Sequence, residues 1–349
     1  MKIKVKCPVR IDLTGGFTDV YPFYVKMEAH HINAAINSYV KIIIEPRNDG
    51  KFLVTSPDNK FEYPSFKKLE MDEKQKLIST AYKFFSFTKG ANLSILLDVP
   101  SGAGLGTSGA LSTALVAGLY AIKVGKSPKD NLGNLAMTAS KIENTAGNLS
   151  GSQDHLASVF GKINQFSFYR DEWSRVPIQL PSGAIKVLES LLLIGYPGGR
   201  RTSGDIVTEV MTKYKSGDRN VSEALNGLND LSTKIHSALK ETDLARLAKL
   251  FRKVIYFQQK LSPSIIGVEH KELIEDLKIF PDIGYKMLGG GGPGACVLIL
   301  SSNKEGYDRV SKILEELRYK KIPVKIASDG IKINFSNSSA SNFYKITQQ

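Results

Sequence analysis

The chain has 349 residues, 42% hydrophobic and 23% charged, which is the make-up of a folded globular protein and excludes a disordered one. The net charge of +13 suits a solvated lysine-rich surface, a nucleic-acid partner or an anionic small substrate, but the lysines are scattered, as in KSPKDN and KKIPVK, and form no basic–aromatic stripe. Two cysteines, Cys7 and Cys296, and five histidines without ligand spacing exclude a disulfide framework and a cysteine zinc site. A chain this long is expected to form two domains. No run approaches the ~18 apolar residues of a membrane span, and the start, MKIKVKCPVRIDL, has no apolar core of a signal peptide. The expectation is a cytoplasmic protein with no membrane and no nucleic-acid partner, a monomer or a homodimer.

In chain order, KIKVKC, HINAAINSYVKIIIEP, KFLVTS and NLSILLDVP read as strands, and a helix is expected in MDEKQKLISTAYKFFSF. A glycine-rich loop follows, with a helix after it and another in SPKDNLGNLAMTASKIENTAG. SQDHLASVF starts a further helix, and KINQFSFY and SRVPIQL read as paired strands around RDEW. A boundary is expected near Pro181–Ile185, giving domains 1–183 and 184–349. The second half opens with ESLLLIGYP as a buried strand, continues through amphipathic helices from about Gly204 to Lys260, and ends with a glycine cluster, the helix KEGYDRVSKILEELRYK and strands IPVKIAS and GIKINFS. This order points to an α+β fold with an antiparallel sheet in the second half.

Three glycine-bearing clusters carry the chemistry. PSGAGLGTSGA, Pro100 to Ala110, lacks the Gly-Lys-Ser/Thr ending of a Walker A loop and is no GxGxxG fingerprint. It could be an anion site, with backbone amides and a helix N-terminus facing a phosphate and hydroxyls from Thr107 and Ser108, or a tight strand-to-helix turn. MLGGGGPGACVLIL has four consecutive glycines, which suit a backbone passing close to a ligand or to another segment, or a flexible turn. PVRIDLTGGFTDVYPFY places Arg10, Asp12 and Asp19 around one turn, either as a substrate loop or as solvated charges.

The trio PVRIDLTGGFTD, PSGAGLGTSGA and LGGGGPGA resembles the three motifs of the GHMP kinases, in the same order across nearly the whole chain. Within that superfamily the likeness is to kinases of D-glycero-D-manno-heptose 7-phosphate and to fucokinases, through RIDLTGGFTDV, AAINSYVKI, IENTAGNLSGSQDHLASVFGKINQFSFY and LLLIGYPGGRRTSGDI. The resemblance implies a two-domain GHMP kinase fold, with a ribosomal protein S5-like N-terminal half, a ferredoxin-like C-terminal half and the active site between them. It implies ATP and Mg²⁺ as cofactors and a sugar or sugar-phosphate substrate. The γ-phosphate would pass to a sugar hydroxyl, the anomeric hydroxyl of a heptose phosphate in the leading reading and a non-sugar alcohol such as a mevalonate derivative in the alternative. ATP phosphates would lie on Pro100, Gly102, Gly104, Leu105, Gly106, Thr107, Ser108 and Gly109, and magnesium on Ser108 and Glu143. Asp154 of GSQDH matches the catalytic aspartate and Arg10 the arginine paired with it; by itself, Asp154 also reads as an aspartate favoured at a helix N-terminus. Asp19 and Gly16 would meet the sugar. Arg200 and Arg201 stand where a substrate phosphate could be held or where solvent could take them. His155 reads as a packing residue. Phe17 stands where the heptose kinases carry a third glycine, Asn37 where an aspartate is common, and Pro293 interrupts the last cluster.

Overall fold

The computed structural model describes residues 2–199 and 204–336. Strand β1 (Lys2–Asp12) buries Ile3, Val5, Cys7, Val9 and Ile11 completely, the two-residue period of a strand with one face on a core. Arg10 and Asp12 continue the opposite face, that of Lys4 and Lys6. They are nevertheless only 4% and 0% exposed, because other segments cover this end of the strand. The first half continues with α1 (Phe23–Lys26), β2 (Ala29–Pro46), β3 (Phe52–Ser56), β4 (Asn59–Tyr63), α2 (Phe66–Glu70), α3 (Lys76–Phe84), β5 (Ala91–Leu97), α4 (Thr107–Val124), α5 (Leu132–Thr145), α6 (Gln153–Phe160), β6 (Ile163–Tyr169) and β7 (Glu172–Pro177). The 18-residue β2 runs antiparallel to β1, pairs β6 through its first third and β5 through its last, and slips register against β1 between Pro8 and Val9. Helix α4 lies against β1 and β2; a Cβ on Gly118 would come 2.7 Å from Ile44 Cδ1, so glycine sets that close approach.

The second half holds α7 (Ala184–Leu191), β8 (Leu192–Tyr196), α8 (Gly204–Lys215), α9 (Arg219–Glu241), α10 (Leu244–Leu261), α11 (Lys271–Lys278), β9 (Ile283–Met287), β10 (Val297–Ser301), α12 (Lys304–Glu316), β11 (Lys320–Ile322) and β12 (Lys332–Ser336). Strands β11-β8-β10-β9 form an antiparallel sheet in that order. With helices between β8 and β9 and between β10 and β11, this is the split β-α-β arrangement of a ferredoxin-like unit.

Four expectations change. ESLLLIGYP is not one strand: its first residues end α7, and only Leu192–Tyr196 is extended. A short apolar run fits a buried strand and a helix end equally well. IPVKIAS keeps only Ile322 in β11, with an isolated bridge from Ile326 to Ile36. GIKINFS forms β12, which crosses back to pair with β1 in the first sheet rather than adding to the second. Helix α4 is long and apolar enough to pass for a membrane span, contrary to the expectation, but 67% of it is buried inside the fold.

Candidate active site

The Pro100–Ala110 segment leads from β5 into α4, and Gly104 and Gly106 have φ of 81° and 72°, a conformation that L side chains rarely take. The first helical bond of α4 runs from Ala110 N–H to Gly106 O at 2.9 Å. The amides of Thr107, Ser108 and Gly109 therefore precede it, at the positive end of an 18-residue helix. A Cβ on Gly104 would lie 2.4 Å from the Leu288 carbonyl oxygen, and one on Gly289 would lie 3.0 Å from Gly104 Cα. Cys296 N–H donates to Ala103 O at 2.9 Å. The last glycine cluster thus passes against another chain segment, the first of its alternatives. Gly109 lets α4 approach α6, since its Cβ would meet that of Asp154 at 2.5 Å. Leu105 is fully buried and accepts the Arg10 N–H through its carbonyl at 3.0 Å.

Arg10 joins the phosphate-type loop to α6. Its Nε donates to Asp154 Oδ1 at 2.7 Å and its Nη2 to Oδ2 at 2.8 Å, while Nη1 donates to Gly104 O at 2.6 Å. This fork-on-carboxylate geometry requires the ionised aspartate. Asp154 keeps 21% side-chain exposure. Burial pushes its carboxyl above the ordinary aspartate value, and Arg10 pulls it back only in part. Asp19, on the neighbouring turn, accepts the Gln153 N–H at 3.0 Å and its amide Nε2 at 3.3 Å. Asp19 N–H in turn donates to His31 Nε2 at 3.1 Å.

Glu143 of α5 is 2% exposed. It accepts Ser108 Oγ at 2.5 Å and Ser112 Oγ at 3.2 Å, and sits 2.7 Å from His155 Nε2. Burial raises its carboxyl, but these donors outweigh that and hold it below the ordinary range. The fully buried His155 supports the Glu143 carboxylate by a hydrogen bond and does not line the cleft. Among the described residues no three His, Cys, Asp or Glu side chains gather as a metal cluster. The donor set still fits magnesium, which binds through one or two protein oxygens and takes the rest from water and phosphate. The Ser108 hydroxyl and the Glu143 carboxylate touch, and the Oγ1 of the preceding residue, Thr107, is buried without a hydrogen-bond partner.

Behind the cleft lies a second ion pair. Asp12 and Lys286, both 0% exposed, meet at 3.1 Å. Asp12 Oδ1 accepts the amides of Thr14 at 2.9 Å and Gly15 at 3.0 Å. Burial alone would raise the Asp12 carboxyl, but its charged neighbours, Lys286 foremost, hold it down at about 2.

These residues surround one cleft of about 340 Å³. Arg10, Gly16 and Asp19 line it from the first cluster, and Gly102, Gly104, Gly106, Thr107 and Ser108 from the second. Glu143 and Asp154 complete the expected set, whereas Pro100, Leu105 and Gly109 stand outside the lining. Arg200 and Arg201 lie outside the described residues. The sequence reading missed Asn148, Leu149, Ser150, Gly151 and Gln153, the stretch between α5 and Asp154 that forms one wall. Its signal was present, since NLSGSQ is a polar, glycine-bearing turn before a helix. Phe17 lines the cleft at φ 72°, the left-handed conformation for which a glycine would be suited. Asn37 is exposed at the β1–β2 register slip, away from the lining.

Residues 75–162 match the GHMP kinases N terminal domain. The chain is 28% identical over 326 residues, 91% of its length and 94% of the relative's, to a D-glycero-alpha-D-manno-heptose 7-phosphate kinase of Campylobacter jejuni. It is 26% identical over 343 residues to a galactokinase of Thermotoga petrophila, covering 91% of this chain and 94% of that one. A crystal structure of a D-glycero-D-manno-heptose 1-phosphate kinase from Bacteriodes thetaiotaomicron superposes with a TM-score of 0.73 at 22% identity, over 96% of this chain and 100% of that one.

Proposed function

We propose, from the match of residues 75–162 to the GHMP kinases N terminal domain, that this chain is an ATP-dependent sugar kinase. The proposed acceptor is the anomeric hydroxyl of a heptose phosphate or a related sugar. The observation that carries this reading is the bidentate Arg10–Asp154 pair, open to a cleft that the N-terminus of α4 walls on another side.

Asp154 orients the acceptor hydroxyl and takes its proton as the oxygen attacks the γ-phosphorus; the bond to the leaving β-phosphate oxygen breaks, with its electron pair going to ADP. A carboxyl raised by burial is a better proton acceptor than an exposed one, yet Arg10 keeps it ionised beforehand. The Arg10 guanidinium is anchored on Gly104 O, so its charge sits between the hydroxyl site and the phosphate loop, where charge develops. The amides of Thr107–Gly109 and the hydroxyls of Thr107 and Ser108 hold phosphate oxygens in a loop without lysine or arginine. Ser108 and Glu143 would hold magnesium, which when bound neutralises charge on the phosphate oxygens. We also propose the division at 183/184 as the domain boundary, with β12 returning to the first sheet.

The test is ADP release with D-glycero-D-manno-heptose 7-phosphate, the free heptose, D-galactose, L-fucose and mevalonate, the product position being read by phosphorus NMR. Turnover of a sugar with phosphate on its anomeric oxygen is expected. Turnover of mevalonate alone, or of nothing in the panel, overturns the reading.

A further inference from the structure

We infer that Lys286 is a positioning residue for the proposed phosphoryl transfer. From the second half of the chain it saturates Asp12, which leaves the Arg10 guanidinium to Asp154. The inference rests on the kinase reading for its kinetic consequence and on geometry alone for the rest.

Arg10 and Asp12 stand two apart on one face of β1, so two carboxylates, Asp12 and Asp154, compete for one guanidinium. Arg10 gives Asp154 both arms of its fork. It can do so because Asp12 is already neutralised. The Lys286 ammonium has three N–H bonds and three acceptors: Asp12 O at 2.8 Å, Asp12 Oδ2 at 3.1 Å and Met287 O at 3.0 Å. Neither partner is exposed, so solvent offers Asp12 nothing in exchange. Without the ammonium, the guanidinium of Arg10, two positions away on the same face of β1, is the cation left to Asp12. A buried carboxylate stripped of its partner is costly, and turning Arg10 from Asp154 towards Asp12 relieves that cost at the expense of the cleft.

Lys286 is also placed to register the two halves. It lies in β9 just ahead of Leu288 and Gly289, which pack on Gly104. Gln258 reinforces the junction, donating to Gly15 O and Met287 O at 3.1 Å each and accepting Met287 N–H at 3.1 Å. One strand end thus sets the phosphate loop in front and the acceptor loop, Thr14–Asp19, behind.

The test compares Lys286→Met with Asp12→Asn/Lys286→Met. The single variant is expected to lose about a hundredfold in kcat, the scale of a small misplacement of reacting groups. The double variant lacks the same ammonium but leaves no carboxylate to attract Arg10, and is expected to recover most of that loss. A merely structural lysine would leave the double variant as slow as the single. Should Lys286→Met not fold, a folded and active double variant supports the inference and a folded, slow one overturns it. A crystal structure of either variant decides independently of activity: in Lys286→Met, Arg10 should leave Asp154 for Asp12, and in the double variant it should return. An Arg10–Asp154 pair unchanged in Lys286→Met overturns the inference even if no substrate in the panel turns over.

Discussion

One aspartate closes β1 and the other lies in the first turn of α6, and their surroundings drive them in opposite directions. Asp12 is sealed, pairs with Lys286 across the two halves and is held at about 2. Asp154 is open to the cleft on one side, pairs with Arg10 and is raised above the ordinary aspartate value by burial. The difference lies in what each carboxylate is left to do. Asp12 accepts the Lys286 ammonium and two backbone amides. Asp154 receives only the guanidinium and retains lone pairs and an opening for a ligand. One is enclosed where the two halves meet, and the other is left open to the cleft.

The largest expected effect tests the open pair. Asp154→Asn should lower kcat by about 10³-fold or more, because the amide cannot take the hydroxyl proton, with nucleotide still bound by calorimetric titration. Turnover like that of the parent would remove Asp154 from the chemistry. The activity should also fall on the acid side at a pH above the usual aspartate range, and Arg10→Met should move that limb higher by removing the charge that keeps Asp154 ionised.

The sealed pair should respond in stability as well as in rate. Asp12→Asn leaves Lys286 buried without its counter-charge and should cost about 3–5 kcal/mol in urea unfolding. In the parent, Asp12 is held at about 2 against an ordinary 3.8, so its contribution of about 2 kcal/mol is fully present above 3.8 and is lost as pH falls through about 2. Lys286, pushed down by burial, offsets part of this at neutral pH. A variant whose acid unfolding matches the parent's would show that the pair does not hold the halves.

Gly104→Ala probes the junction between the two clusters. Its Cβ would meet Leu288 O at 2.4 Å on a backbone with φ 81°. A strain of about 1–3 kcal/mol should appear as weaker ATP-analogue binding with circular dichroism preserved. Thr107→Ala is the smallest change, about 0.5–1.5 kcal/mol in the same titration, if its buried, unpartnered hydroxyl takes a phosphate oxygen. A larger loss from Thr107→Ala than from Gly104→Ala would mean that side chains, not backbone geometry, hold the nucleotide.

Local pattern by itself indicated most strands of the first sheet, whose apolar alternation is plain in KIKVKC and KFLVTS, and the glycine loop before α4, but not β4. The family resemblance also pointed to Arg10, Asp19 and Ser108 within the glycine clusters and to Glu143 and Asp154 within IENTAGNLSGSQDH, five residues that line one cleft in the structure. Tertiary structure alone decided which charges pair. Lys286 reads as one more lysine in a lysine-rich chain, and only the docking of β9 behind β1 brings it to Asp12, 274 positions away. The same holds for β12, whose alternation fits either sheet until its backbone meets that of β1. Gln153 shows the limit within a motif that was read: its place beside Asp154 was visible, but its grip on Asp19 depends on α6 lying against the first loop. Periodicity and turn chemistry act over a few residues, whereas ion pairs and sheet edges are settled by whichever segments the fold brings into contact, and no short window of sequence contains both partners.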